Sequence, residues 1–522
     1  MRNMIWSGRF LSTVVLLLVF WSCEEPSPVP PPQAKLELIP QPTQLESGAG
    51  FFFLAPAVFL TYSDGLSTQG QLLQNFLQEL GIQQKSNAKR VIELAYGFDK
   101  QDAESYHLKI TPDSVRLTAN AAQGISRGIA TLQQLLLLNK YQGNYFLPQL
   151  KLFDRPRFRH RGLLLDCARH FFEVEVVKKY IDLLAFYKMN TLHWHLTEDQ
   201  GWRIAIDRYP ELTGVGAYRT ELNGSSYGDF YSKADIREVV AYATERNIKV
   251  IPEIELPGHC QAAIAAYPHL SCTGDTVSVA NDWGVFKEIY CAGNDSVFTF
   301  LEEVLTEVME LFPSQQIHIG GDEAPKVRWQ HCSKCQRRMA ENGLKDEVEL
   351  QSYFIRRMQT FLEANGRELI GWDEILEGGL AEGAIVLSWR GMEGGIEAVK
   401  HGHQAIMSPT SHAYFDYALD VIDVEKVYSF EPVPKGLTAK EASLILGGEC
   451  NLWSERVPDE NTLDSKVFPR LLAMAEVLWT DSSQKDFLTF NQRLQAHYPV
   501  LDFYGVNYGE ESVPMSHEII LE

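Results

Sequence analysis

Hydrophobic and polar positions follow one pattern up to about residue 150 and a different one after it. Residues 34–150 mix short apolar runs, such as "AVFLTY" and "YHLKI", with segments of helical spacing, such as "TQGQLLQNFLQEL". Alternation indicates half-buried strands, whereas apolar residues that recur at helical spacing indicate amphipathic helices. This part therefore predicts a small α+β domain. It contains no constellation of chemically active residues, so we expect it to pack against and position its neighbour.

From about residue 155 the pattern repeats as strand, loop and amphipathic helix. The strand candidates are "RGLLLDCA" (161–168), "NTLHWHL" (190–196), "KVIPEIEL" (249–256), "QIHIGGDE" (316–323), "RELIGWDE" (367–374), "AIVLSWR" (384–390), "QAIMSP" (404–409) and "LILGGECNLW" (444–453). Strands alternating with helices predict an α/β fold, here a closed (β/α)8 TIM barrel over residues 151–522. An open doubly wound sheet is the alternative, but the Gly-rich dinucleotide fingerprint that often marks it does not occur.

Most of these strand candidates end in polar or aromatic residues that an apolar core would exclude. They are Asp166, His193, His195, Glu255, Asp322, Glu323, Trp372, Asp373, Glu374, Trp389, Arg390 and Glu449. In a barrel the carboxyl ends of the strands meet at one mouth, and the chemistry of this fold takes place there. The shared pattern therefore predicts an active site at that end.

Two adjacent carboxylates, Asp322 and Glu323, follow the fourth strand in "QQIHIGGDEAPK" (315–326). Two acids at a dry strand end cannot both ionise cheaply, so we expect one pKa to rise and leave a proton for general acid catalysis. Adjacent residues point in different directions, so they cannot act on either side of one bond. They can instead contact two parts of one substrate, with one acid protonating the leaving oxygen and the other holding a substrate group that is itself the nucleophile. A solvated helix start is the alternative, and Pro325 fits it.

Composition limits the partners of the chain. The formal net charge of −21 is spread along the sequence, which argues against nucleic acid or an anionic membrane as partner. With 522 residues, 45% of them hydrophobic, the chain is long enough for more than one core. Ten tryptophans and 21 tyrosines offer many flat apolar faces of the kind that stack on sugar rings.

The first 33 residues predict export. Arg2 and Arg9 precede the apolar run "FLSTVVLLLVFW", which is too short for a membrane span and is typical of a secretory signal. Cys23 follows it as in a bacterial lipoprotein signal, so residues 1–23 predict a signal peptide that ends at a lipidated Cys23; ordinary cleavage elsewhere is the alternative. Residues 24–33, rich in proline, predict a tether. We expect a protein anchored by lipid in a bacterial envelope, facing the periplasm or the outer surface.

The spacing of the seven remaining cysteines indicates which of them form disulfides and which are free thiols. Cys272 and Cys291 bracket one loop, and export permits a disulfide between them. Cys332 and Cys335 form "CSKC" without a second pair at zinc spacing, which favours a local disulfide or two thiols over a metal site. The other three cysteines, Cys167, Cys260 and Cys450, are expected to be buried thiols.

The motif "HIGGDEAPK" resembles the catalytic motif of glycoside hydrolase family 20, the β-N-acetylhexosaminidases. The resemblance extends in order through "RPRFRHRGLLLDCARHFF", "KMNTLHWHLTEDQGWRIAI", "VIPEIELPGHCQAAIAAYP", "GWDEI", "LSWRG" and "GGECNLWSE", over roughly 155–480. Residues 34–150 resemble the small domain that commonly precedes that barrel. The resemblance implies an exo-acting, retaining hydrolase that removes terminal β-linked N-acetylglucosamine or N-acetylgalactosamine from an oligosaccharide or glycoconjugate, without metal or cofactor.

The resemblance also implies roles for single residues. Glu323 is the expected general acid/base, and Asp322 is expected to hold the 2-acetamido N–H while the carbonyl oxygen of that group attacks C1. Arg161 matches the arginine that binds sugar hydroxyls, and a buried arginine at a strand end is its alternative. His259 is expected to belong to the active-site network, coupled to Asp199.

The remaining matches concern the sugar pocket. Three tryptophans, Trp372, Trp389 and Trp453, match those that surround the acetamido group and the sugar ring. Tyr414 and Asp416 match a tyrosine that binds the acetamido oxygen and a nearby substrate-binding aspartate, and Glu455 matches a glutamate at the O4/O6 side of the sugar. Glu255 stands where the family often has aspartate, so the network around it departs from the family pattern.

Three alternatives to this function remain open at the level of sequence. They are a non-catalytic sugar-binding protein on the same fold, a relative that releases a disaccharide, such as a lacto-N-biosidase, and a glucosidase with an enzyme nucleophile. The acid pair argues against the first, because a protein that only binds sugar does not need Glu323.

Overall fold

The computed structural model describes residues 28–97, 102–379 and 381–509. The predicted signal peptide with Cys23 and the first part of the predicted tether lie outside these residues. Two domains follow each other along the chain. Within the described ranges no helix is both long enough and apolar enough to cross a membrane.

The N-terminal domain is a mixed sheet with two helices, which confirms the predicted α+β class. Its strands are β1 (Gln44–Leu54), β2 (Ala57–Tyr62), β3 (Gln83–Gln84), β4 (Val91–Tyr96), β5 (Tyr106–Ile110), β6 (Ser114–Ala119), β7 (Lys140–Tyr141) and β8 (Asn144–Asp154). They form one sheet in the order β1-β8-β5-β6-β4-β2-β3, with β7 paired to β8. The helices α1 (Ser67–Glu79) and α2 (Ala122–Leu138) bury their apolar faces in the same core as the sheet.

The predicted domain boundary at 150 falls inside β8. This strand pairs with β1 and β5 as far as Phe153 and Asp154, so its last residues belong to the N-terminal sheet. The boundary therefore lies after Asp154.

The second domain is a closed barrel. Its strands are β9 (His160–Asp166), β10 (Thr191–His195), β11 (Thr197–Glu198), β12 (Gly201–Trp202), β13 (Arg219–Thr220), β14 (Ser226–Tyr227), β15 (Lys249–Leu256), β16 (Gln316–Gly320), β17 (Glu368–Trp372), β18 (Ile385–Ser388), β19 (Ala405–Met407) and β20 (Ile445–Leu452). In the described part of the chain, β9, β10 and β15 to β20 are parallel and close in the order β10-β15-β16-β17-β18-β19-β20-β9. The predicted (β/α)8 barrel is confirmed.

Helices surround the barrel strands. They are α3 (Val174–Phe186), α4 (Glu211–Gly214), α5 (Lys233–Glu245), α6 (Gln261–Ala266), α7 (Asp295–Leu311), α8 (Val327–Gln330), α9 (Ser333–Asn342), α10 (Glu347–Ala364), α11 (Glu393–Lys400), α12 (Thr410–Ala413), α13 (Val424–Tyr428), α14 (Ala439–Ala442), α15 (Glu460–Val467), α16 (Arg470–Trp479) and α17 (Phe487–Phe503), with 3-10 turns at Pro268–Leu270, Asp373–Leu376 and Ser482–Gln484. Several begin at side-chain caps; Ser232 and Asp235 form a capping box at α5.

The alternation of strand side chains divides the barrel into two cores. In β9, Leu163 and Leu165 pack toward the surrounding helices, whereas Leu164 packs inside the barrel with Ile251 and Ile370. Both faces of the strand are buried, which explains the unbroken apolar run "GLLL". The polar residues at the strand ends lie beyond these layers, so packing leaves them to the mouth of the barrel.

Arg161 lies at the opposite end of the barrel from that mouth. It is the second residue of β9, about 16 Å along the strand from Asp166 at ~3.3 Å per residue. Its fully buried guanidinium donates to both carboxylate oxygens of Glu104 in the N-terminal domain, at 2.6 and 3.0 Å, and to the Phe158 carbonyl at 2.7 Å. The prediction that Arg161 binds sugar hydroxyls is wrong, because this side chain joins the two domains.

Candidate active site

The acid pair sits on a sharp turn directly after β16. Gly320 and Gly321 have φ of 67° and 96°, and Glu323 has φ of 42°. A Cβ on Gly320 would lie 1.8 Å from Oε2 of Glu255, so only glycine fits between the strand end and this carboxylate. The left-handed conformation of Glu323 is uncommon outside glycine and strained, and such strain is concentrated at functional sites.

The two carboxylates have different surroundings. The Asp322 side chain is 13% exposed, whereas that of Glu323 is 41% exposed. Oδ1 of Asp322 is buried and has no hydrogen-bond partner among the described residues, so it can accept a donor from a ligand. Nε2 of His259 lies 3.5 Å from Oδ2 of Asp322 and 3.6 Å from Oε2 of Glu323, between the two acids.

These surroundings separate the two pKa values. Burial raises the pKa of Asp322 to about 6; the positive His259 opposes this shift, while the Glu253 and Glu323 charges add to it. The hydrogen bond from His259 lowers the pKa of Glu323, although partial burial works against it. One acid of the pair therefore has a raised pKa, as expected, but it is Asp322 and not Glu323, the expected general acid.

His259 connects the acid pair to two further carboxylates. Its Nδ1 lies 2.8 Å from Oε1 of Glu198 and 3.3 Å from Oδ2 of Asp199. Burial lowers the pKa of His259, but the charges of Glu198 and Asp322 outweigh burial and hold it well above the usual value. The predicted coupling of His259 to Asp199 is confirmed, and sequence reasoning missed that Glu198 is the closer partner.

Glu255, at the end of β15, lies close to the turn that carries the acid pair. Its side chain is buried, and Oε2 has no partner among the described residues. Burial raises its pKa well above the usual value, and the charges of Asp322 and Glu253 raise it further. The longer side chain at this position therefore places a carboxyl group with a raised pKa next to Asp322.

The four aromatic residues that the sequence singles out for the sugar pocket pack against one another at the carboxyl ends of the barrel strands. Trp372 is fully buried, and its ring centroid lies 5.7 Å from that of Trp453. Trp389 stacks on Tyr414 at 6.2 Å. Hydrogen bonds orient two of the indoles: Nε1 of Trp372 donates to Glu253 at 3.0 Å, and Nε1 of Trp389 donates to Glu374 at 2.9 Å. Together they form a rigid apolar wall that suits a flat substituent or a sugar ring.

Arg169 is a cation at the mouth that sequence reasoning missed. It follows the carboxyl end of β9 and lies over the Trp453 ring at 4.9 Å. Its guanidinium contacts Asp166 at 3.2 Å, Glu198 at 3.1 Å and Glu455 at 3.5 Å. The signal was present, because Arg169 stands after the strand in "LLLDCARHFF" and Arg161 stands at its start. Only the carboxyl end of a barrel strand reaches the mouth.

Asp416 and Glu455 complete the polar side of the site. Glu455 is 30% exposed next to Arg169. Burial raises the pKa of Asp416 to about 7, and the Glu455 charge adds to the shift. Oδ1 of Asp416 is buried without a partner among the described residues, as is Oδ1 of Asp322. Both oxygens are open to donors from a ligand, and the structure brings both predicted residues to the mouth.

A buried network of histidine and glutamate side chains lies inside the barrel, below the site. Glu253 lies 2.7 Å from His318 and 3.3 Å from His193, and it also binds His195. Glu449 binds His193 at 2.7 Å. Burial lowers the pKa of His193, but Glu449 and Glu253 outweigh this and raise it to about 9. These paired charges hold Trp372 through Glu253 and make the floor of the site rigid.

The structure contradicts the predicted disulfide between Cys272 and Cys291. Both residues have free thiols, and so do Cys332 and Cys335. Of the two alternatives for "CSKC", the structure has two thiols and not a local disulfide, and the sulfur atoms of all four cysteines lie together in one cluster. Chain spacing could not reveal this, because the two pairs meet only in the folded barrel.

The raised pKa of Asp322 predicts that Asp322→Asn stabilises the protein. A folded-state pKa of about 6 against 3.8 means that wild-type stability falls as pH rises through this window and is constant above it. The asparagine side chain does not ionise, so the variant does not lose this stability. Its free energy of unfolding should therefore exceed that of the wild type by an amount that grows across the same window to about 3 kcal/mol at neutral pH. Thermal unfolding at a series of pH values measures it. The control is Glu323→Gln, whose lowered pKa predicts no gain, and equal melting temperatures of Asp322→Asn and wild type would contradict the prediction.

Comparisons with known proteins agree with this geometry. Residues 158–482 match the family described as glycosyl hydrolase family 20, catalytic domain, and residues 35–153 match domain 2 of that family. A beta-hexosaminidase of Porphyromonas gingivalis is 41% identical over 96% of this chain and 68% of its own length. A beta-hexosaminidase of Vibrio furnissii is 35% identical over 85% of this chain and 76% of its own length.

Solved structures show the same similarity. The exo beta-N-acetylglucosaminidase of Vibrio harveyi, in complex with N-acetylglucosamine, superposes with a TM-score of 0.84 at 31% identity, over 93% of this chain and 80% of that one. The beta-N-acetylhexosaminidase of Streptomyces coelicolor superposes with a TM-score of 0.81 at 30% identity, over 92% of this chain and 98% of that one.

Proposed function

The chain belongs to glycosyl hydrolase family 20, and from this we propose that it is an exo-acting β-N-acetylhexosaminidase. It removes terminal, non-reducing β-linked N-acetylglucosamine or N-acetylgalactosamine from glycans and retains the configuration at C1. The observation that carries the proposal is the acid pair: Asp322 is buried with an unpartnered oxygen, and its neighbour Glu323 is open to the mouth.

The first step uses the substrate as its own nucleophile. Oδ1 of Asp322 accepts the 2-acetamido N–H, and the hydroxyl of Tyr414 donates to the acetamido oxygen. That oxygen attacks C1 and forms the C1–O bond of an oxazolinium ion, while the glycosidic C1–O bond breaks. Glu323 gives its proton to the leaving oxygen. Asp322 stays ionised beside the positive ring, which lowers the energy of the charge as it develops.

The second step reverses the proton transfer. Glu323, now a carboxylate, takes a proton from water, and the water oxygen attacks C1 on the face that the leaving group has left. The acetamido oxygen departs and the oxazolinium opens to the free sugar. Two inversions at C1 return the β configuration, and Glu323 regains its proton for the next cycle.

Substrate binding moves the proton to where the mechanism needs it. In the free site Asp322 has the raised pKa and Glu323 the lowered one. An N–H donated to Asp322 favours its ionised form, and a sugar that covers the half-exposed Glu323 removes water from it and favours its neutral form. Both effects favour the protonation states that the mechanism needs, in which Glu323 enters the reaction as an acid and Asp322 as an anion.

Arg169, Glu455 and Asp416 are placed to recognise the hydroxyl groups of the terminal sugar. The guanidinium of Arg169 offers a planar fork of donors, and Glu455 and the unpartnered oxygen of Asp416 accept. Hydrogen bonds to the sugar hydroxyls position C1 next to the acid pair. Correct positioning of the reacting atoms lowers the barrier of the reaction and does not only tighten binding.

A pair of aryl glycosides tests the proposed reaction. An aryl β-N-acetylglucosaminide should release its aryl group, and the aryl β-glucoside, which lacks only the acetamido group, should not. Equal rates on both would indicate an enzyme nucleophile instead of the substrate's own. Release from the aryl glycoside of a disaccharide alone, with none from the monosaccharide, would indicate a disaccharide-releasing enzyme.

The same proposal places the enzyme in the bacterial envelope, held by lipid on Cys23. Its support is the sequence: the arginine-flanked apolar run, the cysteine after it and the proline-rich residues 24–33. Because the net charge of −21 gives no attraction to anionic lipid, attachment requires the acyl anchor. Full-length protein should therefore fractionate with membranes, whereas Cys23→Ser should become soluble and keep its activity. If the wild-type protein is soluble after its signal is removed, the lipid anchor is contradicted and simple secretion is indicated instead.

A further inference from the structure

Four cysteines from two loops of the barrel converge at one point. Sγ of Cys272 lies 3.7 Å from Sγ of Cys335, and Sγ of Cys291 lies 3.7 Å from those of Cys332 and Cys335. All four sulfur atoms lie within 4.8 Å of one another. Cys291, Cys332 and Cys335 are buried, and Cys272 is half-buried.

We propose that this cluster binds one zinc ion as a tetrathiolate site. A disulfide would bring two sulfur atoms to about 2.05 Å, far closer than the 3.7 Å contacts here. Four sulfurs at about 2.3 Å around a tetrahedral Zn²⁺ lie about 3.8 Å apart, which agrees with the observed spacing. Soft thiolates in a tetrahedron are the ligands that zinc prefers, and carboxylate-binding cations such as Mg²⁺ do not fit them.

The backbone around the cluster is shaped for this convergence. Cys332 and Cys335 span the start of α9, where the N–H groups of the first turn favour thiolates. A Cβ on Gly293 would lie 2.1 Å from the carbonyl carbon of Lys334 and 2.3 Å from the nitrogen of Cys335. Glycine at 293 therefore lets the segment that carries Cys291 touch the Cys-x-x-Cys turn, as a shared ion requires.

The site joins the loop after β15 to the loop after β16. The second of these loops begins with the acid pair and continues through Trp329 to Cys332. Two further contacts cross between the same loops: Nε1 of Trp329 donates to the Tyr290 carbonyl at 2.9 Å, and Arg328 pairs with Glu288. Since four protein thiolates leave no open position for water, the ion is structural. It holds the loop that positions Glu323, and takes no part in the reaction.

Metal content of the wild-type chain tests the site directly. The soluble body, produced without its signal, is purified without a metal-affinity step or added metal, and elemental analysis should find about one zinc per chain, as a single four-coordinate site requires. Cys291→Ser and Cys335→Ser should lose the zinc and unfold at lower temperature. The matched control is Cys450→Ser, a buried thiol in β20 outside the cluster, which should keep the zinc.

Intact mass and cobalt exchange separate this site from the alternatives. Unreduced denatured protein should have the mass of the chain with every thiol hydrogen present, and protein refolded with Co²⁺ should show thiolate-to-cobalt absorption that Cys291→Ser lacks. A mass reduced by the hydrogens of two disulfides, with no zinc, would overturn the proposal. Zinc retained in both cluster variants would also overturn it. If those variants fail to fold, the zinc content and mass of the wild type still decide.

Discussion

Glu323→Gln should lower kcat/KM by roughly 10²- to 10⁴-fold for a glycoside with a poor leaving group, because general acid catalysis is worth about that much. The loss should shrink toward wild-type rates as the leaving group becomes more acidic, since an acidic phenol departs without a proton. Rates across a series of aryl β-N-acetylglucosaminides with phenols of different pKa measure this. The slope of rate against leaving-group pKa should be steeper in the variant.

Asp322→Asn is the matched comparison, because it changes the adjacent residue by the same isosteric step. Every substrate needs its acetamido group held and its oxazolinium charge stabilised, so this variant should lose activity by a similar factor across the whole series. Its slope should stay near that of the wild type. Parallel losses of equal slope in both variants would show that the two roles are assigned to the wrong residues.

Arg169→Met and Arg161→Met should differ in their effect on activity. In the proposed mechanism Arg169 binds the sugar at the mouth, over Trp453, so its loss should remove charged hydrogen bonds worth about 1.5–3 kcal/mol, or roughly 10- to 100-fold in kcat/KM. Because the loss also leaves the buried Asp166 and Glu198 without this cation, the melting temperature should fall as well.

Arg161 binds Glu104 at the domain junction, so its loss leaves that largely buried carboxylate with Arg127 as its remaining arginine partner. The cost in stability should therefore stay below the about 3–5 kcal/mol of a buried charge that loses its whole pairing.

Kinetics and thermal unfolding of the two variants, measured side by side, check this pair. Arg161→Met should keep kcat/KM close to wild type at temperatures where it is folded, while its melting temperature drops. Arg161→Lys serves as a control that keeps the charge but loses the planar fork, and it should lie between wild type and Arg161→Met in stability. If Arg161→Met has a raised KM and an unchanged melting temperature, Arg161 binds the sugar after all.

Two of the four cluster cysteines lie on the same segment as the acid pair, and this links stability to catalysis. The segment from Asp322 to Cys335 has its acids at one end and two cluster thiols at the other. A site that holds the far end allows the strained turn at Glu323 to persist without unravelling. Active sites need such support, because catalytic groups that are loosely held lose the geometry that makes them effective.

The sequence by itself determined the barrel, the site and most of its residues. Parallel strands buried on both faces require apolar runs, so "GLLL" and its counterparts mark the strands, and the polar residues after them mark the mouth. The acid pair and the aromatic wall were found in this way. The pattern extends strands too far into the polar residues that follow them: "RELIGWDE" predicts one strand, but β17 ends at Trp372 and a 3-10 turn follows.

Only the tertiary structure decided the contacts between distant segments. Two arginines near one strand, Arg161 and Arg169, differ by which end of the barrel they reach, and the pKa order of Asp322 and Glu323 depends on burial and on His259. The four cysteines are separated by up to 63 residues, and neither pair shows its partner in the sequence. Local pattern follows from the covalent chain, whereas charge, burial and metal-ligand geometry depend on which segments folding brings together.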